Sequence, residues 1–226
     1  MDRKKFLRNS VAGLGSIIAI PTMISSCKKE EMIDPNACAD SPTETAGPFP
    51  IKTPADWIRE NIVGDRTGVA LMINITIQNT NSNCSPLEGA LVDLWQCDAK
   101  GNYSEYNGQL DGDFTNQHFL RGRQTTNAEG KASFISIYPG WYPGRAPHLH
   151  LEILGSSGNS LLTTQIAFPE DISNEVYATQ AYKGNFDTSN SDDGVFDGSL
   201  ARNMADSVTG NTTDGYILNK IIKVAG

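Results

Sequence analysis

The chain has only three histidines, and two of them stand one residue apart in His148-Leu149-His150. On a β-strand, residues i and i+2 point to the same side, roughly 6–7 Å apart at Cα, so two imidazoles placed this way can share one metal ion. Leu149, Leu151 and Ile153 alternate with them and would face a core. Just upstream, the prolines and glycines between Ile137 and Pro147 force a loop that can swing a tyrosine back toward the histidines. Tyr103 lies further upstream. Phenolate oxygen is a hard anionic donor suited to Fe(III), and imidazole also suits iron. Two of each give charge-neutralising ligation that favours ferric over ferrous iron. Tyr106 competes with Tyr103 as a donor, but three residues away it faces the opposite side of a regular strand. His118 has no partner histidine at metal spacing and reads as a surface or supporting group. Neither a CxxC nor a Cys/His zinc spacing is present, and no GxGxxG, Walker A or GxSxG pattern occurs.

The elements that must position these residues read as strands. Val69, Leu71, Ile73, Ile75 and Ile77 are apolar and alternate with polar residues, the period of a half-buried strand. Leu91 to Trp95, Ala132 to Tyr138, His148 to Leu154, Leu161 to Phe168 and Tyr216 to Val224 read likewise, with Gly, Pro, Asn and Asp between them. Short helices are expected at Asp56 to Ile62 and at Asp171 to Ala178. Many short strands and little helix lead to an all-β fold, an antiparallel β-sandwich whose long loops carry the metal site. The stretch Tyr182 to Leu200, rich in Asp, Ser, Asn and Gly, lacks the spacing of a Ca²⁺ loop and reads as a solvated surface loop. Trp95 and Trp141 read as packing residues, and Arg121 and Arg123 as partners of carboxylates inside the sandwich.

The 226 residues carry a net charge of −8. An acidic chain without a basic cluster is a poor nucleic-acid binder, so no nucleic-acid partner is expected. Residues 1–26 read as a signal peptide, with Arg3, Lys4, Lys5 and Arg8 followed by an apolar run too short for a stable membrane span. Ile24-Ser25-Ser26-Cys27 resembles a bacterial lipobox, which makes Cys27 a lipidated N-terminus and residues 27–41 its tether; an ordinary signal peptide followed by a chance cysteine is the plainer alternative. Arg3 to Arg8 also resembles a twin-arginine signal with lysine in place of the second arginine. The expected location is outside the cytoplasm, periplasmic or at the cell surface of a Gram-negative type cell, with the lipid as the membrane contact. The domain proper is expected over 42–226. In an oxidising compartment one disulfide is expected among Cys38, Cys84 and Cys97. Cys84 and Cys97 flank one strand and would close a short loop; Cys38 is then left over or takes one of the other two.

The run from Leu87 to Ile153 closely resembles the intradiol ring-cleavage dioxygenases, the protocatechuate and catechol dioxygenase family. The resemblance rests on Pro86-Leu87-Glu88-Gly89-Ala90, Val92-Asp93-Leu94-Trp95, Gly101-Asn102-Tyr103-Ser104, Arg121-Gly122-Arg123-Gln124-Thr125, Tyr138-Pro139-Gly140-Trp141-Tyr142 and Arg145-Ala146-Pro147-His148-Leu149-His150. Thr45-Ala46-Gly47-Pro48-Phe49 resembles the family's entry motif. The resemblance implies an immunoglobulin-like sandwich and one Fe(III) per chain held by Tyr103, Tyr142, His148 and His150. Tyr142 matches the tyrosinate that leaves the metal when substrate binds, and Tyr103 the one that stays. Arg145 matches the arginine that stabilises the charged substrate, Gln165 a supporting glutamine, and Gly47 and Pro48 a stretch lining the pocket. The implied reaction takes a small aromatic diol and O2 to a cis,cis-muconate-type diacid.

The sequence also departs from the family. Gly144 stands where protocatechuate enzymes carry a bulky tryptophan, which points to a more open pocket. No helical dimerisation region of the cytoplasmic catechol enzymes is expected ahead of the domain, so the secreted single-chain branch is the nearer likeness. Two other readings compete: a non-catalytic surface lipoprotein of the same fold binding an aromatic or a glycan, and a Cu or Zn site on His148 and His150. The first predicts loss of a ligand, and the second is opposed by the two tyrosines.

Overall fold

A computed structural model of the protein describes residues 38–226, which form one compact unit. The expected signal peptide, the lipidation site Cys27 and the tether up to residue 37 lie outside the described residues.

The strands are β1 (Ala70–Asn79), β2 (Ser85–Pro86), β3 (Leu91–Trp95), β4 (Arg121–Thr125), β5 (Lys131–Ile137), β6 (His148–Leu154), β7 (Ser160–Ala167), β8 (Ser207–Asn211) and β9 (Gly215–Val224). Two helices, α1 (Glu170–Tyr177) and α2 (Leu200–Asn203), lie between β7 and β8. One sheet is built on β1. It takes β9 along one side in parallel, with β8 beyond, and β5 and then β2 antiparallel along the other. The second sheet runs β4-β3-β6-β7, antiparallel throughout. Alternating residues of β1 (Leu71, Ile73, Ile75, Ile77) and of β6 (Leu149, Leu151, Ile153) are buried and belong to one hydrophobic cluster. The period-2 alternation seen in the sequence thus sets which face of each strand looks inward.

The all-β, immunoglobulin-like antiparallel sandwich expected from the sequence is corrected to a mixed α/β arrangement of two separate sheets with helices. Two features overturn it. β1 and β9 pair in parallel, far apart in sequence, and parallel neighbours need a long crossover. That crossover includes helical segments. In α1, Ser173, Val176 and Tyr177 are buried, spaced three and four apart on one helical face. Glu170 and Asp171 lie in its first turn, where carboxylates favour the helix dipole. The Tyr177 hydroxyl donates to the Pro139 carbonyl at 3.0 Å, and Tyr138 Oη lies 2.8 Å from Ser173 Oγ. The helix therefore packs behind the loop that carries Tyr142. The helix expected at Asp56 to Ile62 is reduced to a 3-10 turn, Pro54–Trp57.

The disulfide joins Cys38 to Cys84, not Cys84 to Cys97. It ties the start of the compact unit to the loop after β1. Cys97 is free and buried, and burial pushes its thiol pKa far up.

Candidate active site

The register of the second sheet builds the floor of the site. Trp95 on β3 stands opposite His150 on β6, and His150 opposite Gln165 on β7. Cross-strand partners share a face, so indole, imidazole and amide form one row. The Trp95 and His150 rings lie parallel, 5.1 Å apart. His148 is two residues from His150 on the same face, and both are buried. Their Nε2 atoms approach to 3.0 Å. His148 Nδ1 lies 2.6 Å from the Ala146 carbonyl oxygen. That carbonyl can only accept, so the proton sits on Nδ1 and Nε2 presents a lone pair.

The two tyrosines arrive from loops. Tyr103 Oη lies 3.5 Å from His148 Nε2, and Tyr142 Oη 3.3 Å from the same atom. Two phenols and two imidazoles therefore converge on one small volume. Separations of 3.0–3.5 Å are those of donors sharing one cation at about 2.0–2.1 Å, the usual range for nitrogen and carboxylate ligands. Among the described residues, no three His, Cys, Asp or Glu side chains gather in this way; the donor set here depends on phenols. Tyr106 is not part of it, because its hydroxyl donates to the Pro50 carbonyl at 2.8 Å.

Without a cation the electrostatics keep every donor neutral. Burial, with a smaller contribution from Arg145, lowers the His148 pKa to about 3. Burial, then His148 and Arg145, lower His150 well below the usual imidazole value. Burial raises Tyr103 far above the ordinary phenol range and raises Tyr142 as well, against the pull of Arg145. A bound cation inverts this logic and favours the two phenolates. Hard phenolates with neutral imidazoles are a donor set that fits ferric iron.

Arg145 closes one side. Its NH1 is 3.4 Å from Tyr142 Oη, and its NH2 donates to Gln165 Oε1 at 2.5 Å. Gln165 Nε2 in turn donates to the Thr45 carbonyl at 2.7 Å, which links the arginine to the entry stretch. Gly47 has φ +68°, and a Cβ there would sit 2.9 Å from His150 Cε1. Only glycine accepts both that dihedral and that approach to the ring. Pro48 is exposed. Ala46, Phe49 and Ile51 pack with Trp95, Cys97, Tyr103 and Tyr142, so the wall is apolar.

A buried polar network holds the Tyr103 loop. Arg121 is fully buried; its Nε donates to Ser104 Oγ, NH2 to the Ser104 carbonyl and NH1 to the Phe49 carbonyl, at 2.7–2.9 Å. Glu105, also buried, lies 3.6 Å from Arg121 Nε and 3.1 Å from His118 Nδ1. Trp57 stacks on His118 at 4.2 Å. Arg123 pairs with Asp93 at 2.5 Å. Trp141 anchors its own loop by donating to the Gly184 carbonyl at 2.8 Å.

The reading of Tyr182 to Leu200 as a solvated surface loop is corrected in part: Tyr182, Asn190, Asp193 and Phe196 are buried. Asp193 accepts from Arg145 Nε at 2.9 and 3.0 Å. Sequence reasoning missed it because an aspartate inside a polar, aperiodic stretch carries no pattern. The neighbouring Val195-Phe196 pair was the available sign that the loop turns inward.

A family model described as Dioxygenase matches residues 47–185, and the chain belongs to the intradiol ring-cleavage dioxygenase family. It is similar to an intradiol ring-cleavage dioxygenase from Tetranychus urticae, at 30% identity and a TM-score of 0.73, covering 83% of this chain and 95% of that one. It is also similar to the dioxygenase domain of a dioxygenase–carbohydrate-binding protein fusion from Streptomyces sp. SirexAA-E, at 27% identity and a TM-score of 0.59, over 81% and 97% of the two chains. The protocatechuate 3,4-dioxygenase beta chain of Burkholderia cepacia is 31% identical over 121 residues, 50% of this chain and 52% of that one. The match thus spans about half the length of that relative. Family membership implies an iron cofactor.

Proposed function

We propose that the protein cleaves a catechol-type aromatic ring between its two hydroxylated carbons with O2, using one Fe(III) per chain held by Tyr103, Tyr142, His148 and His150, and releases a cis,cis-muconate-type diacid. The observation that carries this reading is the convergence of two phenol oxygens and His150 Nε2 within 3.0–3.5 Å of His148 Nε2, beside Arg145.

Ferric iron held by these four residues would supply Lewis acidity that favours the doubly ionised, electron-rich form of the substrate. The protein's own groups do the rest. The Tyr142 phenolate oxygen takes one catechol proton and a hydroxide ion takes the other, leaving as water, so no further side chain is required as a general base. Tyr103 stays in place, held by the Arg121 network. Arg145 NH1, facing the Tyr142 hydroxyl, donates to the oxygen where negative charge develops. Phe49, Ile51 and Trp95 offer an apolar wall to the ring and exclude water. Gly47 lets the entry stretch lie against His150.

The test is the visible absorption spectrum of the iron-loaded full chain, before and after catechol is added without O2. The expected result is a broad tyrosinate-to-iron band that moves to longer wavelength with catechol, followed in ¹⁸O2 by a diacid carrying two labelled oxygens. A protein that stays colourless after iron loading and catechol addition would instead be a binding module. We further propose that the chain is exported and lipidated at Cys27, on the support of its first 27 residues; mass spectrometry of the mature N-terminus tests this.

A further inference from the structure

Arg145 uses its three nitrogens in three directions, and one direction ends on Asp193, which no sequence motif pointed to. NH1 faces Tyr142 Oη and NH2 donates to Gln165. Nε donates to both carboxylate oxygens of Asp193, at 3.0 and 2.9 Å. Asp193 is only 2% exposed. Its Oδ2 also accepts the Ala146 backbone N–H at 2.9 Å, and its Oδ1 the Val195 N–H at 3.0 Å. A buried carboxylate with this many donors is fully satisfied and has little freedom to move.

The loop that carries Asp193 is itself tied down. Asn190 donates from its side chain to the Phe168 carbonyl at 2.8 Å and from its backbone to Glu170 Oε1 at 2.7 Å. The Asp193 N–H donates to the Ser189 carbonyl, and the Phe196 N–H to the Asp193 carbonyl. Phe196 packs with Ala146 and Ala167, and the Arg145 guanidinium lies 5.8 Å from its ring centre. The planar guanidinium is therefore fixed from two edges, by Asp193 and by Gln165. A planar group fixed on two edges has its third direction determined.

We propose that Asp193 is the positioning residue for Arg145: it orients the guanidinium so that NH1 faces the Tyr142 hydroxyl, and it balances the buried positive charge. This rests on the assignment of Arg145 to the dioxygenase site. Asp193 touches neither substrate nor metal ligand and acts through the arginine. A misplacement of about 1 Å at such a donor is enough to cost roughly 10²-fold in rate.

The experiment is a double-mutant cycle in the iron-loaded full chain. Asp193→Asn is expected to lower kcat on catechol by about 10–100-fold at unchanged iron content, and to change it by less than about 2-fold in an Arg145→Ala background. An equal loss in both backgrounds overturns the proposal, since it marks a general structural role. Should Asp193→Asn not fold, Asp193→Glu keeps the charge one methylene further out; a smaller kcat loss, again absent in the Arg145→Ala background, is then expected, and an equal loss in both backgrounds overturns the proposal. A second readout does not need turnover. In ¹⁵N-labelled full chain without added iron, the Arg145 Nε–H resonance, assigned by its absence in Arg145→Lys, is expected to exchange slowly with water and to exchange fast in Asp193→Asn. Unchanged exchange overturns the proposal even if catechol is not a substrate.

Discussion

The histidines and the tyrosines reach the same point by different means. His148 and His150 stand on β6, inside a four-stranded sheet, with Trp95 and Gln165 in register on either side. Their spacing follows from the strand's own period and requires no help. Tyr103 and Tyr142 stand on loops, where no repeating backbone geometry fixes a side chain. Each loop is therefore held by buried polar contacts: Arg121 and Glu105 behind Tyr103, and the Trp141 indole and helix α1 behind Tyr142. Half of the site is thus fixed by secondary structure and half by charged and polar networks.

Deleting a strand-borne ligand gives the largest effect. His150→Ala removes a donor from the rigid half. Iron per chain, measured by elemental analysis after gel filtration, should fall from about one to below roughly a tenth, with the visible band lost. Full iron retention would break the ligand assignment at its firmest point.

An attack on the loop half should be smaller and different in kind. Arg121→Met leaves all four donors in place but leaves Glu105 buried without its guanidinium partner. Losing one member of a buried charged pair costs about 3–5 kcal/mol, which for a domain of this size lowers Tm by about 6–20 °C. The freed Tyr103 loop should also weaken iron binding by roughly 10–100-fold, the usual effect of removing a group that supports a ligand. Stability lost with iron affinity untouched would show that the Tyr103 loop needs no such support.

The same division governs what could be read from the sequence. Six of the nine strands were legible from apolar residues that alternate, as in β1, or run together between turn residues, as in β3, and His-x-His was legible because a strand gives it one meaning. β4 was not, because Arg121-Gly122-Arg123-Gln124-Thr125 has no alternation; its arginines are held by Ser104 and Asp93 from elsewhere in the chain. The parallel pairing of β1 with β9 was not legible either, since nothing local to a strand records its neighbour's direction. Tyr103 and Tyr142 were found through family motifs and not through spacing. Asp193 was missed by both routes. The disulfide failed for a related reason: proximity in sequence favoured Cys84 with Cys97, whereas the fold brings Cys38 back beside Cys84 across 46 residues.

The smallest expected effect separates the two halves by protons. In the iron-free chain the His148 pKa lies at about 3, against 6.5 for a free imidazole, and His150 is also lowered, both chiefly through burial. Below pH 6.5 the unfolded chain binds protons on these rings that the folded chain does not. Their contribution to stability is therefore full above that pH and is lost as pH falls from 6.5 toward 3. Each imidazole should add up to about 1.4 kcal/mol per pH unit to the slope of unfolding free energy in this window. Urea denaturation of the iron-free chain between pH 7 and pH 5 measures that slope. His148→Gln should reduce it by about one proton's worth, while Arg121→Met should lower stability at every pH. Equal slopes in wild type and His148→Gln would mean that the strand histidines are already protonated when folded, and that the neutral pair facing one metal position is not the resting state of the site.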